Sequence, residues 1–287
     1  MRAPIPFMLL FLIMLASPRL AQALDVLILQ SGRSPAYTDA LHGLNAAAKF
    51  DSKTLVLSDY SDVDVQRLVR EERPRLLIAV GDRALAECRK TREVPVLALL
   101  SLALTQKPVP DHVGGIAMTA APGRYLELFT QMRAKRVGVL YDPRLSGLYV
   151  KRAIAEADGY GVTIVTETLR NPRDLQGKLE KLKGEIDLLW LLPDSTAITT
   201  VNLEALLVFS MTQAVPAVSF TGQYVKNGAA AALDIDPYDL GGQAGEMAQS
   251  LLRSGGVHRV PVVDPRKVRL QVNESVLRKL HLKPPSH

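Results

Sequence analysis

From Leu24 onward the chain alternates short, continuous apolar runs with amphipathic stretches, and it does so twice over. An unbroken run of Val, Ile and Leu suits a strand covered by helices on both faces, which is the situation of a parallel sheet. In the first half the runs "LDVLILQ", "KTLVLSD", "RLLIAVGD" and "VPVLALLS" are separated by the helical patterns "AYTDALHGLNAAAK", "DVQRLVREERP" and "RALAECRKT". In the second half "AKRVGVLYD", "VTIVTETLR", "IDLLWLLPD" and "VPAVSFTG" are separated by "GLYVKRAIAEADGYG", "LQGKLEKLKGE" and "NLEALLVFSMTQA". This rhythm implies right-handed βαβ units and therefore two similar α/β halves, each built on a parallel sheet.

The strands end on polar or glycine residues: Gln30-Ser31-Gly32, Gly81-Asp82, Ser101, Tyr141-Asp142, Pro193-Asp194-Ser195 and Thr221-Gly222. Any one such cluster is an ordinary helix cap or tight turn. Six of them on two sheets line up the carboxyl edges, where open α/β sheets bind ligands. Two joints follow the halves, "VGGIAMTAAPGRYLELFTQMRA" and "NGAAAALDIDPYDLGGQAGEMAQSLLRSG". Each is an extended apolar piece, a Pro that presets the first helical turn, and an amphipathic helix. Their equivalent positions suggest that each half lends an element to the other.

The first 23 residues carry an early cation at Arg2, an apolar core from Phe7 to Ala16 and the small-x-small ending Ala21-Gln22-Ala23. That is the layout of a secretory signal peptide cut before Leu24, since the apolar core is about half the roughly 20 residues a spanning helix needs. The expected location is the periplasm and the expected mature protein a soluble monomer. Cleavage removes two cations and no acid, lowering the formal charge from +6 to +4. No concentrated basic stripe exists, which argues against nucleic acid as a partner. The single Cys88 has no internal disulfide partner and reads as a small buried hydrophobe. His42, His112, His258, His281 and His287 form no metal-ligand spacing, and neither G-x-S-x-G nor a glycine-rich phosphate loop is present. The chain is thus expected to be no enzyme and to need no cofactor.

The signal peptide, the doubled halves, "LLPDSTAI", "VKNGAAAALDIDPYDLGGQAGEMAQSLL" and the closing "VRLQVNESVLRKLHL" resemble the substrate-binding proteins of bacterial ABC transporters. More narrowly they look like the branch with a type I periplasmic-binding fold whose relatives include binders of aromatic amino acids. The family's Pro, small residue, Asp, Asn, Thr motif is matched at Asp194 and Thr196, with Ser195 in place of Asn. In the last crossover helix Gly242 stands where the family usually has Arg, and Asn273 keeps the closing Asn. The resemblance implies two Rossmann-like parallel-sheet domains joined by three crossover strands, near Ile116 to Thr119, Ala232 to Asp236 and Val260 to Val263. The lobes would be 24–117 with 237–260, and 118–236 with 261–287. A small ligand, an amino acid or similar polar molecule, would be caught between them and handed to a membrane permease. A sensor role beside a membrane kinase, or a structural role without ligand, fits the same residues.

A zwitterionic ligand needs an acid for its ammonium and donors for its carboxylate. Asp194 is the first candidate for the ammonium and Asp142 the second, although Asp194 can equally cap its own helix. Ser31, Ser34, Ser146 and Thr196 are candidate donors, and Tyr37, Tyr141 and Tyr224 are candidate packing surfaces. Gly32, Gly81, Asp82, Ser195 and Thr221 complete the expected cleft wall.

Overall fold

The computed structural model describes residues 24–254 and 259–285. The expected leader, residues 1–23, lies outside them. Two six-stranded sheets are present, and each expected apolar run supplies a strand. The first contains β1 (Val26–Gln30), β2 (Ser52–Val56), β3 (Leu76–Val80), β4 (Val96–Leu99) and β5 (Val113–Ile116), with β11 (Val262–Val263) returning to its edge. The second contains β6 (Arg136–Tyr141), β7 (Thr163–Thr168), β8 (Leu188–Trp190), β9 (Ala217–Ser219) and β10 (Ala231–Ile235), with β12 (Val268–Val272) at its edge. The helices, in chain order, are α1 (Pro35–Ala47), α2 (Val65–Glu72), α3 (Asp82–Cys88), α4 (Ala103–Gln106), α5 (Pro122–Gln131) and α6 (Pro143–Ala157). They continue with α7 (Leu175–Leu182), α8 (Thr200–Thr212), α9 (Gly222–Lys226), α10 (Pro237–Arg253) and α11 (Glu274–Lys279).

Every residue of β1 and β3 is buried, as expected of strands sandwiched between helical layers. One apolar cluster covers each face of each sheet, so each lobe is a three-layer unit. Cys88 is fully buried in one of them, and burial pushes its thiol up to about 12. The spatial order β11-β5-β4-β3-β1-β2 is repeated as β12-β10-β9-β8-β6-β7. In both sheets the order reverses at the first strand, placing topological switch points between β1 and β3 and between β6 and β8.

The joint helices exchange partners as the sequence implied. Tyr125, Leu128 and Phe129 of α5 enter the second lobe's core, whereas Leu240, Ala244 and Ala248 of α10 enter the first lobe's. The α1–α10 contact is closed to backbone distance. A Cβ on Gly241 would stand 1.8 Å from the Ala40 carbonyl oxygen, so only glycine permits this crossing. Two features depart from expectation. β11 pairs in parallel with β5, so the third passage between lobes falls at 264–267 rather than at Val260 to Val263. β12 is antiparallel to β10, because a strand entered from the crossover must run away from the cleft edge at which β10 ends.

Candidate functional site

At the second lobe's switch point the β6 and β8 turns are tied together by one buried carboxylate. Asp194, 1% exposed, accepts from the amides of Thr196 (3.0 Å) and Ala197 (3.1 Å) on one oxygen. On the other it accepts from the Asp142 amide (2.9 Å) and the Ser146 hydroxyl (2.7 Å). Four bonds fill the lone-pair sites of a carboxylate, so no acceptor is left for an ammonium. Asp142, also fully buried, accepts from the Thr196 hydroxyl (3.0 Å) and the Arg144 amide (2.9 Å), capping α6. The Arg144 guanidinium closes on it through Nε and Nη2. That hydrogen-bonded guanidinium holds the Asp142 carboxyl down at about 2. The structure thus brings four of the candidate residues, Asp142, Ser146, Asp194 and Thr196, together and gives both acids internal partners.

The first lobe's switch point is built differently. Ser31 accepts from the Ala84 amide at 2.9 Å, and Ser34 caps α1 by accepting from the Tyr37 amide at 3.2 Å. The Tyr37 hydroxyl reaches over Gly81: a Cβ there would lie 2.2 Å from it and 2.6 Å from Ser31 Oγ. Gly81 also has φ +89, which side-chain-bearing residues rarely adopt. Burial raises the Tyr37 hydroxyl above its ordinary value, partly offset by its hydrogen bond with Ser31. Asp82, exposed, accepts from Ser101 Oγ (2.6 Å) and the Ala103 amide (3.0 Å) on Oδ1 alone.

The remaining candidates are scattered. Gly32 faces the Ser58 side chain, and Ser195 is exposed with no hydrogen bond among the described residues. Tyr141 is partly buried against the second lobe's core. Thr221 caps α9, and Tyr224 stands edge-on to Phe220 with ring centroids 5.4 Å apart. Sequence reasoning passed over Arg144, whose side chain is 72% exposed. Its signal was available: a cation in a helix's first turn opposes the macrodipole and needs a reason.

Between the lobes, α4 faces α6 and a groove of about 610 Å³ opens beside them. Leu104 and Thr105 from one side and Leu148, Tyr149 and Arg152 from the other line it. Tyr149 donates to the Ala120 carbonyl at 2.7 Å, and Arg152 grips Asp264 at 2.9 and 2.5 Å, tying α6 to the first and third passages.

The family model of ABC transporter substrate-binding proteins matches residues 42–286. The chain belongs to this family. Among solved structures, the ligand-free, open form of a substrate-binding protein with adhesive properties from Clostridium difficile is 20% identical, with TM-score 0.69 over 92% of this chain and 96% of that one. An ABC domain from Streptococcus pneumonia in complex with L-Trp is 18% identical, with TM-score 0.63 over 91% and 96%. An ABC sugar transporter subunit from Rhodobacter sphaeroides is 14% identical, with TM-score 0.54 over 88% and 98%. These likenesses establish the type I periplasmic-binding fold. A comparison with curated proteins gives no match. Membership makes the chain a substrate-binding protein associated with an ABC transporter, and not an enzyme. Among the described residues no helix is long and apolar enough to cross a membrane.

Proposed function

We propose that the protein captures a small polar molecule, an amino acid in the first instance, between its lobes and delivers it to the transporter's permease as an exported, monomeric carrier. What carries this reading is the topology: β5 and β10, each parallel to its neighbours, leave their sheets at the carboxyl edge directly into the passages between the lobes, so both switch points front the gap between them. Exposed Asp82 and half-buried Tyr37 belong to one wall, and exposed Arg144 and Ser195 to the other. A ligand spanning such a cleft contacts both lobes only when they approach, so binding favours closure about the three passages. The L-Trp complex of a relative with this fold supports an amino acid, and the sugar transporter subunit supports the wider class of small polar solutes.

A thermal-shift screen of L-amino acids and monosaccharides, followed by calorimetry on the hits, tests the reading. A saturable one-to-one complex with a reduced radius of gyration in solution scattering is expected. Failure of every member of both classes to bind would overturn it.

A further inference from the structure

The two acids first expected to meet a ligand are occupied, and a third is half free. Asp82 spends Oδ1 on Ser101 and Ala103, while Oδ2 has no partner among the described residues. Two bonds hold this carboxylate in place, and the turn that supplies them is itself set by Leu100, at φ +52. A bulky residue in that region is strained, which the surroundings must impose. Across the cleft, Arg144 spends Nε and Nη2 on Asp142, while Nη1 makes no hydrogen bond among the described residues.

Helix geometry brings the two groups to the same gap. Arg144, Leu148 and Arg152 are spaced four apart and so share one face of α6. Leu148 and Arg152 line the interlobe groove opposite Leu104 and Thr105 of α4. Ala103, the first residue of α4, is the one whose amide Asp82 holds. Asp82 and Arg144 therefore flank one interlobe contact, from opposite lobes.

Resting on the reading of this cleft as the ligand site, the geometry points to a zwitterion clamp divided between the lobes. Asp82 takes the ammonium of an α-amino acid and Arg144 takes its carboxylate. The guanidinium's remaining N–H groups suit a carboxylate, and the free Asp82 oxygen suits an ammonium. Placing one charge on each lobe makes closure depend on a ligand that carries both.

The test uses the whole mature protein and the twenty common L-amino acids as probes. For the tightest binder, the C-terminal amide and the analogue lacking the amino group are each expected to bind wild-type protein at least about thirtyfold more weakly. Asp82→Asn should weaken the free amino acid by a similar factor yet leave the analogue without an amino group unchanged. Arg144→Gln should do the same for the amide. The wild-type ligand series stands even if Arg144→Gln folds poorly, because it uses no variant. Tight binding that survives loss of either charge, or variants that weaken all three compounds equally, overturns the clamp while leaving the carrier reading intact. Saturable binding of a monosaccharide with no amino acid bound does the same. Absence of binding by either class sinks both.

Discussion

The two switch points occupy equivalent places in equivalent sheets, yet they use their acids in opposite ways. In the second lobe Asp194 is buried and accepts four hydrogen bonds that join the β6 and β8 turns. In the first lobe Asp82 is exposed, reaches the β4 turn instead, and uses one oxygen. An acid at a sheet's carboxyl edge is thus a structural tie or a binding group according to the lone pairs left over, and its position alone does not distinguish the two. The second lobe's exposed charge is instead Arg144, whose guanidinium closes on Asp142 beside the tie.

The sharpest way to break this contrast is to remove the tie. Asp194→Ala leaves four donors without their acceptor, three of them backbone amides and two on the turn that opens with Pro193. Water replaces some of these bonds, and a loss of about 4 kcal/mol in apo stability is expected. Urea unfolding followed by fluorescence reads it directly, because Trp190, the chain's single tryptophan, lies in the second lobe's core. A variant with native stability and abolished ligand binding would mean that Asp194 is a ligand group after all.

A smaller effect belongs to Asp142, whose carboxyl the Arg144 guanidinium holds at about 2. An unfolded aspartate titrates near 3.9. A depressed folded value means that the contribution to stability is full above about pH 4 and is lost as pH falls toward 2. In Arg144→Gln this acid limb should flatten, so that its urea midpoint drops less between about pH 5 and pH 2.5 than that of wild type. Parallel curves for the two proteins would show that the pair does not set the folded value.

Most of the fold was legible because its signals are local and repeated. The buried runs, the Pro-led joint helices and the doubled βαβ rhythm each reflect burial on a sheet of known hand. The edge strands β11 and β12 were not: β11 has two residues, and its pairing with β5 is a long-range choice that no periodicity records. At the site, the sequence named the turns at the strand ends and left open whether their acids cap helices or hold a ligand. Asp142 and Asp194 read alike as caps or clamps, and only the number of donors around each carboxylate separates the roles. Arg144 was readable in principle from its place at the start of α6, whereas the half-free state of Asp82 depends on Ser101, nineteen positions away.

The smallest expected effect is the counterpart of the first, Asp82→Ala in the apo protein. Its carboxylate holds one hydroxyl and one amide at the start of the short helix α4, in a place that water reaches. The loss is that of a helix cap, about 1 kcal/mol. It also falls in the lobe that contains no tryptophan. Far-UV circular dichroism should therefore register a slight shift in the first lobe's transition while Trp190 fluorescence stays where it is, the reverse of what Asp194→Ala produces. If Asp82→Ala destabilises as much as Asp194→Ala, the first-lobe acid is as much a tie as its counterpart, and the difference between the two walls disappears. If the order holds, the acid that costs least to remove from the empty protein is the one with an oxygen to spare for a ligand.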